Sequence, residues 1–174
     1  MHSLAKDPGT SGPATRQVAL TAIGLADLPF LVWSGLDRER IGVQYPAGEY
    51  RRQFRIAPLR YFRSATRPSS RIIRVNGRRA GYVGLNPLSE NIEYYLQPWA
   101  RGGVGGAAIE AYLRATLPFP VDKHAFMIEG NDRSVAVFRA ALTRIGLIDG
   151  EDFEYFEYPG GSGFRVLAGV LPRN

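Results

Sequence analysis

Residues Gln97–Leu113 read QPWARGGVGGAAIEAYL. Four glycines fill the positions from Gly102 to Gly106 around Val104, and an alanine-rich stretch follows at once. Upstream, NIEYYLQ (Asn91–Gln97) is a β-forming run stopped by Pro98. Downstream, the pattern predicts a helix over Gly103–Leu117. A strand, a short glycine loop and a helix together aim free backbone N–H groups along the helix axis. The helix dipole adds positive charge there, which suits a phosphate. Glycines let an anion approach without a Cβ in the way, and Arg101 adds a guanidinium fork. The plain structural alternative is close packing of helix on strand. No Gly-Lys-Ser/Thr follows, so the stretch is not a P-loop. Residues 103–108 match GxGxxA, but the surrounding strand order is not that of a dinucleotide fold.

Working outward, Gln17–Ile23 (QVALTAI) reads as a strand, and Ala26–Asp37 as a helix with Asp27 in its first turn. Ala47–Ser64 is a second helical candidate, interrupted by Pro58, and Thr66–Ser70 is a turn. Arg71–Val75 and Arg79–Leu85 flank Asn76-Gly77, a strong hairpin signal. After the glycine-led helix, a short strand over Ala125–Glu129 is expected. A helix over Asp132–Ile145 follows, capped by Asn131. Two aromatic strands, Asp152–Tyr158 and Gly163–Val170, close the chain through PGGS. The strands on either side of the glycine-led helix should pair in parallel, because a helical crossover joins them. The fold class is therefore α/β, with a mixed, mostly antiparallel sheet flanked by helices.

The chain has 174 residues, enough for one domain with a real core. Residues 1–16 read as a disordered leader and 17–174 as the domain. There is no cysteine and there are only two histidines, His2 and His124. That composition excludes disulfides and thiol catalysis and leaves no metal site to expect. No apolar run approaches the ~20 residues of a membrane span, and a cytoplasmic protein is expected. Net charge is +6, and the arginines cluster. Tyr50–Ser89 holds ten of them and no acidic residue. Either this is a solvated basic face, or it meets an anionic partner.

The order of elements and two local motifs resemble the GNAT N-acetyltransferase superfamily over Val18–Val170. The nearest flavour is the branch that acetylates ribosomal-protein N-termini and small-molecule amines. Its core motif is Gln/Arg-x-x-Gly-x-Gly/Ala, which wraps the pyrophosphate of acetyl-CoA. Gly103-Val104-Gly105 fits the glycine half, but Ala100 occupies the basic position and the arginine is displaced to Arg101. Asn131-Asp132-Arg133-Ser134 matches a second motif, Asn-x-x-Ser, whose Asn contacts the pantetheine arm. Seven residues later, where many members carry a tyrosine acid, this chain has Phe138. VALTAIGLADLPFLVWSGLD resembles the family's first strand and helix.

The resemblance implies direct attack of an amine on the thioester of bound acetyl-CoA, in a ternary complex. It places the cofactor on Tyr95, Leu96 and Gln97 of the strand end, and on Arg101, Gly102, Gly103, Val104, Gly105 and Gly106. Asn131, Ser134 and Phe138 complete that set. Glu93 is the first candidate base and Glu129 the second, with His124 as a further choice. Tyr94 and Tyr95 are candidate acids. Asn91 stands where relatives often carry a glutamate base. The acceptor groove implied by the fold includes Trp33, Tyr45, Tyr50, the arginine block and Tyr155–Gly163. It suits a small-molecule or peptide amine, an anionic one included, and the fold allows a homodimer. Two other functions fit the same residues. One is a catalytically degenerate binding protein on this fold, and the other an acetyltransferase acting on an RNA-linked amine.

Overall fold

A computed structural model describes residues 16–35, 69–86 and 90–173 of the chain. The helical candidate at 47–64, residues 1–15 of the expected leader 1–16, Tyr45, Tyr50 and the arginines from Arg51 to Arg67 lie outside them.

The chain enters as β1 (Val18–Ala22), passes a 3-10 turn (Leu25–Asp27) and forms α1 (Leu28–Gly35). Strands β2 (Arg71–Val75), β3 (Arg78–Leu85) and β4 (Ile92–Leu96) make the meander. Asn76 and Gly77 both have positive φ, 49° and 79°, as the predicted tight hairpin turn requires. A 3-10 turn (Pro98–Ala100) leads to α2 (Val104–Thr116), β5 (Lys123–Ile128) and α3 (Asp132–Arg144). Strands β6 (Phe153–Tyr158) and β7 (Gly161–Val166) close the fold.

The strands form two antiparallel sheets, ordered β1-β2-β3-β4 and β5-β7-β6. This corrects the expected parallel pairing across the crossover. β4 and β5 are neighbours in contact, yet no ladder joins them, and each is an edge strand of its own sheet. The last hairpin also differs from expectation. Tyr158 pairs with Gly161, so the turn is only Pro159-Gly160 and β7 starts two residues early. β7 ends at Val166, because Leu167 N–H turns to Asp152 C=O (3.0 Å) and Gly169 N–H to Phe119 C=O (2.9 Å).

Strand side chains alternate between faces, and both faces of the first sheet are used. Ile72, Tyr82 and Tyr95 meet Leu31 of α1 on one side. Ile73, Val75, Val83, Ile92 and Leu96 meet Val104, Ala108, Ile109, Tyr112 and Leu113 of α2 on the other. That second core continues through Phe138 and Leu142 of α3 to Ala125, Met127, Phe153 and Phe164 of the second sheet.

Part of the arginine block is committed to folding. Asp27, 4% exposed, accepts from Arg74 Nη2 at 3.1 Å and Arg79 Nε at 2.6 Å. Its other oxygen accepts from Gly24 N–H at 3.0 Å, while Arg74 Nε reaches Thr21 Oγ1 at 3.1 Å. The cluster clamps the start of α1 to β2 and β3. Burial pushes the Asp27 carboxyl up, but the Arg79 and Gly24 hydrogen bonds and the two guanidinium charges outweigh it, so its pKa falls below the ordinary value.

Candidate active site

Gln97 leaves β4 with its N–H on Ala80 C=O at 2.7 Å. At the other end of the same ladder, Asn86 N–H meets Asn91 C=O at 2.8 Å. An antiparallel ladder alternates bonded and non-bonded pairs. These two bonds and the register Tyr82↔Tyr95 and Gly84↔Glu93 therefore turn the backbone groups of Glu93, Tyr95 and Gln97 towards β3. Those of Ile92, Tyr94 and Leu96 turn towards the gap beside β5. The expected strand-end donors are corrected accordingly. Leu96 and Tyr94 offer N–H groups to the gap, and Gln97 does not. The Gln97 side chain reaches Ser34 Oγ of α1 at 3.4 Å.

β5 presents a matching edge. Glu129 N–H bonds Gly160 C=O at 2.9 Å, which with the register Met127↔Ser162 and Ala125↔Phe164 directs alternate residues to β7. The backbone groups of His124 and Phe126 then face β4. Two strand edges thus confront each other without hydrogen bonds between them among the described residues.

At the mouth of this gap the chain makes the glycine turn. Gly102 and Gly103 have φ of 94° and 81°, a region costly for other residues. Gly103 caps α2 with its backbone alone, and a Cβ there would meet nothing within 4 Å. Gly102 and Gly103 are exposed, while Val104, Gly105 and Gly106 behind them are buried. Arg16 Nη1 donates to the carbonyls of Arg101 (3.1 Å) and Gly102 (3.3 Å) and so braces the turn. Arg16, the last residue of the expected leader, is thereby tied to the glycine turn. Arg101 is exposed beside the turn. Ala100 is fully buried, so no side chain at that position reaches the opening.

Gly105 and Gly106 serve a different purpose. A Cβ on Gly105 would sit 3.4 Å from Leu96, 3.6 Å from the Tyr94 ring and 3.6 Å from Val137. On Gly106 it would meet the Arg144 guanidinium at 2.6 Å. Both glycines are buried against neighbouring elements, as the close-packing alternative expects, and Val104 is likewise buried in the core.

Asn131 caps α3 as expected, its side chain accepting from Ser134 N–H at 3.4 Å. Tyr94 Oη donates to Ser134 Oγ at 3.0 Å. The tyrosine brought to the Asn-x-x-Ser turn is thus Tyr94. Tyr95 points the other way, buried against Leu31 and Tyr82 beneath α1, its ring centroid 6.2 Å from that of Tyr82. Phe138 does not reach the gap either. It is 1% exposed and stacked on Phe164 at 5.3 Å, a core residue. Glu93 is partly buried on the α1 side of β4, its carboxylate accepting from Asn86 Nδ2 at 3.1 Å. Glu129 is exposed just past β5. Trp33 stands 74% exposed on α1. Tyr155 is half-buried on β6 beneath Arg139, whose guanidinium lies 4.8 Å from its ring. Trp99 is partly exposed beside the glycine turn, and Arg78 stacks on it at 4.7 Å. Among the described residues no helix is long and apolar enough to cross a membrane.

No family model and no curated protein matches the sequence. Solved structures do match in shape. The Vibrio cholerae spermidine N-acetyltransferase, solved with CoA and spermine, aligns at 16% identity and a TM-score of 0.54. The alignment covers 87% of this chain and 95% of that one. AAC(6')-Ib, in complex with ribostamycin and coenzyme A, aligns at 20% identity and 0.56, over 87% and 93% of the two chains. RimL, a ribosomal L7/L12 alpha-N-protein acetyltransferase, aligns at 16% and 0.52, over 89% and 92%. The mixed α/β architecture of this chain, with antiparallel sheets flanked by helices, is the fold of these acetyltransferase structures.

Proposed function

We propose that this chain is an acetyl-CoA-dependent N-acetyltransferase acting on a primary amine in a ternary complex. The observation that carries the proposal is the pair of facing, unbonded strand edges opening onto a positive-φ glycine turn at a helix start. A pyrophosphate fits the exposed Gly102–Gly103 turn at the start of α2, where the helix dipole and Arg101 add positive charge. An extended arm bearing amides fits the edge of β4 at Tyr94 and Leu96. Asn131 and Ser134 border its far side. The neighbours of known activity bind CoA in this fold, which supports the same ligand here.

Bound acetyl-CoA supplies a thioester carbonyl for attack and a thiolate leaving group. The chain supplies proton transfer and orientation. Successive strand residues point to opposite faces, so Glu93 lies on the α1 face of β4 and Tyr94 on the α2–α3 face. Base and acid thus flank one gap from its two sides. Glu93 takes the proton that the amine loses as its C–N bond forms. Tyr94, its hydroxyl turning from Ser134 Oγ to the sulfur, gives a proton to the leaving thiolate as the C–S bond breaks. Glu129 is the reserve base. Trp33, Tyr50 and Tyr155 remain proposed acceptor contacts, and a small-molecule amine is the acceptor class that the neighbours' ligands, spermine and ribostamycin, support.

Ligand-induced thermal stabilisation tests this directly. A ligand at a hundred times its Kd adds about 2.7 kcal/mol to the folded state. Acetyl-CoA should raise Tm and the protein should release free CoA with an amine panel. Absence of any shift at millimolar acetyl-CoA overturns the proposal. A shift without turnover on any amine favours the degenerate binding protein, a reading that the buried Ala100 and Phe138 motivate.

A further inference from the structure

Lys123 opens β5 and is 5% exposed, an unusual place for an ammonium. Its Nζ lies 2.8 Å from Glu90 Oε2. Glu90 stands two residues before β4, at φ 57°, and is itself largely exposed. The ion pair therefore ties together the beginnings of the two strands that share no ladder. From this point both run towards the glycine turn and the α3 cap. At that far end the polar link between them is Tyr94 Oη to Ser134 Oγ, through the turn that follows β5. Paired strands lie about 4.8 Å apart. Strands without a ladder need something else to define their spacing, and the Glu90–Lys123 ion pair supplies a charged link where the two strands begin.

We propose that the Glu90–Lys123 pair is a positioning device that sets the splay of β4 against β5, and with it the width of the slot for the pantetheine arm. It rests on the acetyl-CoA reading above. Its predicted effect is selective. Removing the clip lets the edges drift, which weakens ligands that thread the gap. The glycine turn, held separately by Arg16, keeps its grip on a pyrophosphate.

The test compares CoA with adenosine 3′-phosphate 5′-diphosphate, which carries the pyrophosphate but lacks the arm. Lys123→Met replaces the buried cation by an apolar chain of similar length and leaves behind a carboxylate, Glu90, that is largely exposed to water; Lys123→Arg keeps the charge. The expected result is a fall of about tenfold or more in CoA affinity for Lys123→Met, no change for the armless nucleotide, and recovery in Lys123→Arg. Equal losses for both ligands, or none for either, overturn the proposal. The native chain contains no cysteine, so Trp99→Cys with Glu129→Cys permits clean spin labelling across the gap. The label separation should broaden in Lys123→Met and stay narrow in Lys123→Arg, whether or not CoA binds. An unchanged distribution overturns the clip even if the acetyl-CoA reading holds. Failure of the wild type to bind CoA overturns that reading while the labels still judge the clip.

Discussion

Gly102–Gly103 and Gly105–Gly106 are separated by a single valine, yet the structure uses the two pairs for opposite ends. The first pair is exposed and at positive φ; a Cβ on Gly103 would meet nothing within 4 Å, and one on Gly102 only the Arg16 guanidinium at 4.0 Å. The second is buried in regular helix and lets α2 lie against Leu96, Tyr94 and Val137. The first pair shapes an exposed turn, the one proposed above to meet the pyrophosphate. The second replaces side-chain volume by contact within the chain. Glycine density alone says only that Cβ atoms are unwelcome, and the two reasons demand different experiments.

The largest effect should come from the side chain that the second pair admits. Tyr94→Phe removes the proposed acid and should lower kcat by about 100-fold while leaving the KM for acetyl-CoA nearly unchanged; steady-state assay of CoA release checks both. Gly105→Val tests the packing role. Its added methyls press on Leu96 and Tyr94 and should cost about 1–3 kcal/mol in denaturant unfolding, and acetyl-CoA binding should go with it. A stable Gly105→Val protein would erase the distinction between the pairs. Gly103→Ala tests the other side. It meets no atom but places an L side chain at φ 81°, a strain of about 1–2 kcal/mol, so a smaller Tm loss should accompany a clear drop in affinity. Gly105→Ala is the smallest effect and the sharpest contrast. Its Cβ contacts are ordinary, and Ala gains about 0.5–1 kcal/mol over Gly within a helix, so thermal unfolding should show unchanged or raised stability.

A pH series separates these site effects from the fold beneath. The Asp27 pKa is lowered in the folded state, so its contribution is present above the unfolded value, about 3.9, and is lost as pH falls through the folded value. Wild type should lose stability on that acid limb. Asp27→Asn should be less stable at neutral pH and should converge on wild type at the acid end; parallel curves would show that the carboxylate is not what holds Arg74 and Arg79.

Local signals were readable in the chain. Asn76-Gly77 names its turn, Asn131 its cap, and the glycine-led helix starts one residue from where its pattern places it. What was hidden depends on partners distant in sequence. Which of Tyr94 and Tyr95 meets Ser134 is decided by the parity of β4 against β3, although the apolar residues at 92 and 96 share parity with 94 and hint at it. The missing β4–β5 ladder could not be read, because a crossover helix implies direction and not spacing. Phe138 aligned with a motif position, but helix phase turned it into the core. The role of Arg16 is not legible locally, since its partners are backbone carbonyls 85 and 86 residues away.

The one-sided ladder of β4 has a consequence for proton exchange. Amides of Glu93, Tyr95 and Gln97 are locked into β3, while those of Tyr94 and Leu96 look into the gap. Deuterium should therefore enter β4 at every second residue, fast and slow alternating along five positions of one strand. A ligand that lies along that edge should slow only the fast members of the series. Such a comb would report occupancy of the gap residue by residue, without any chemistry having to take place.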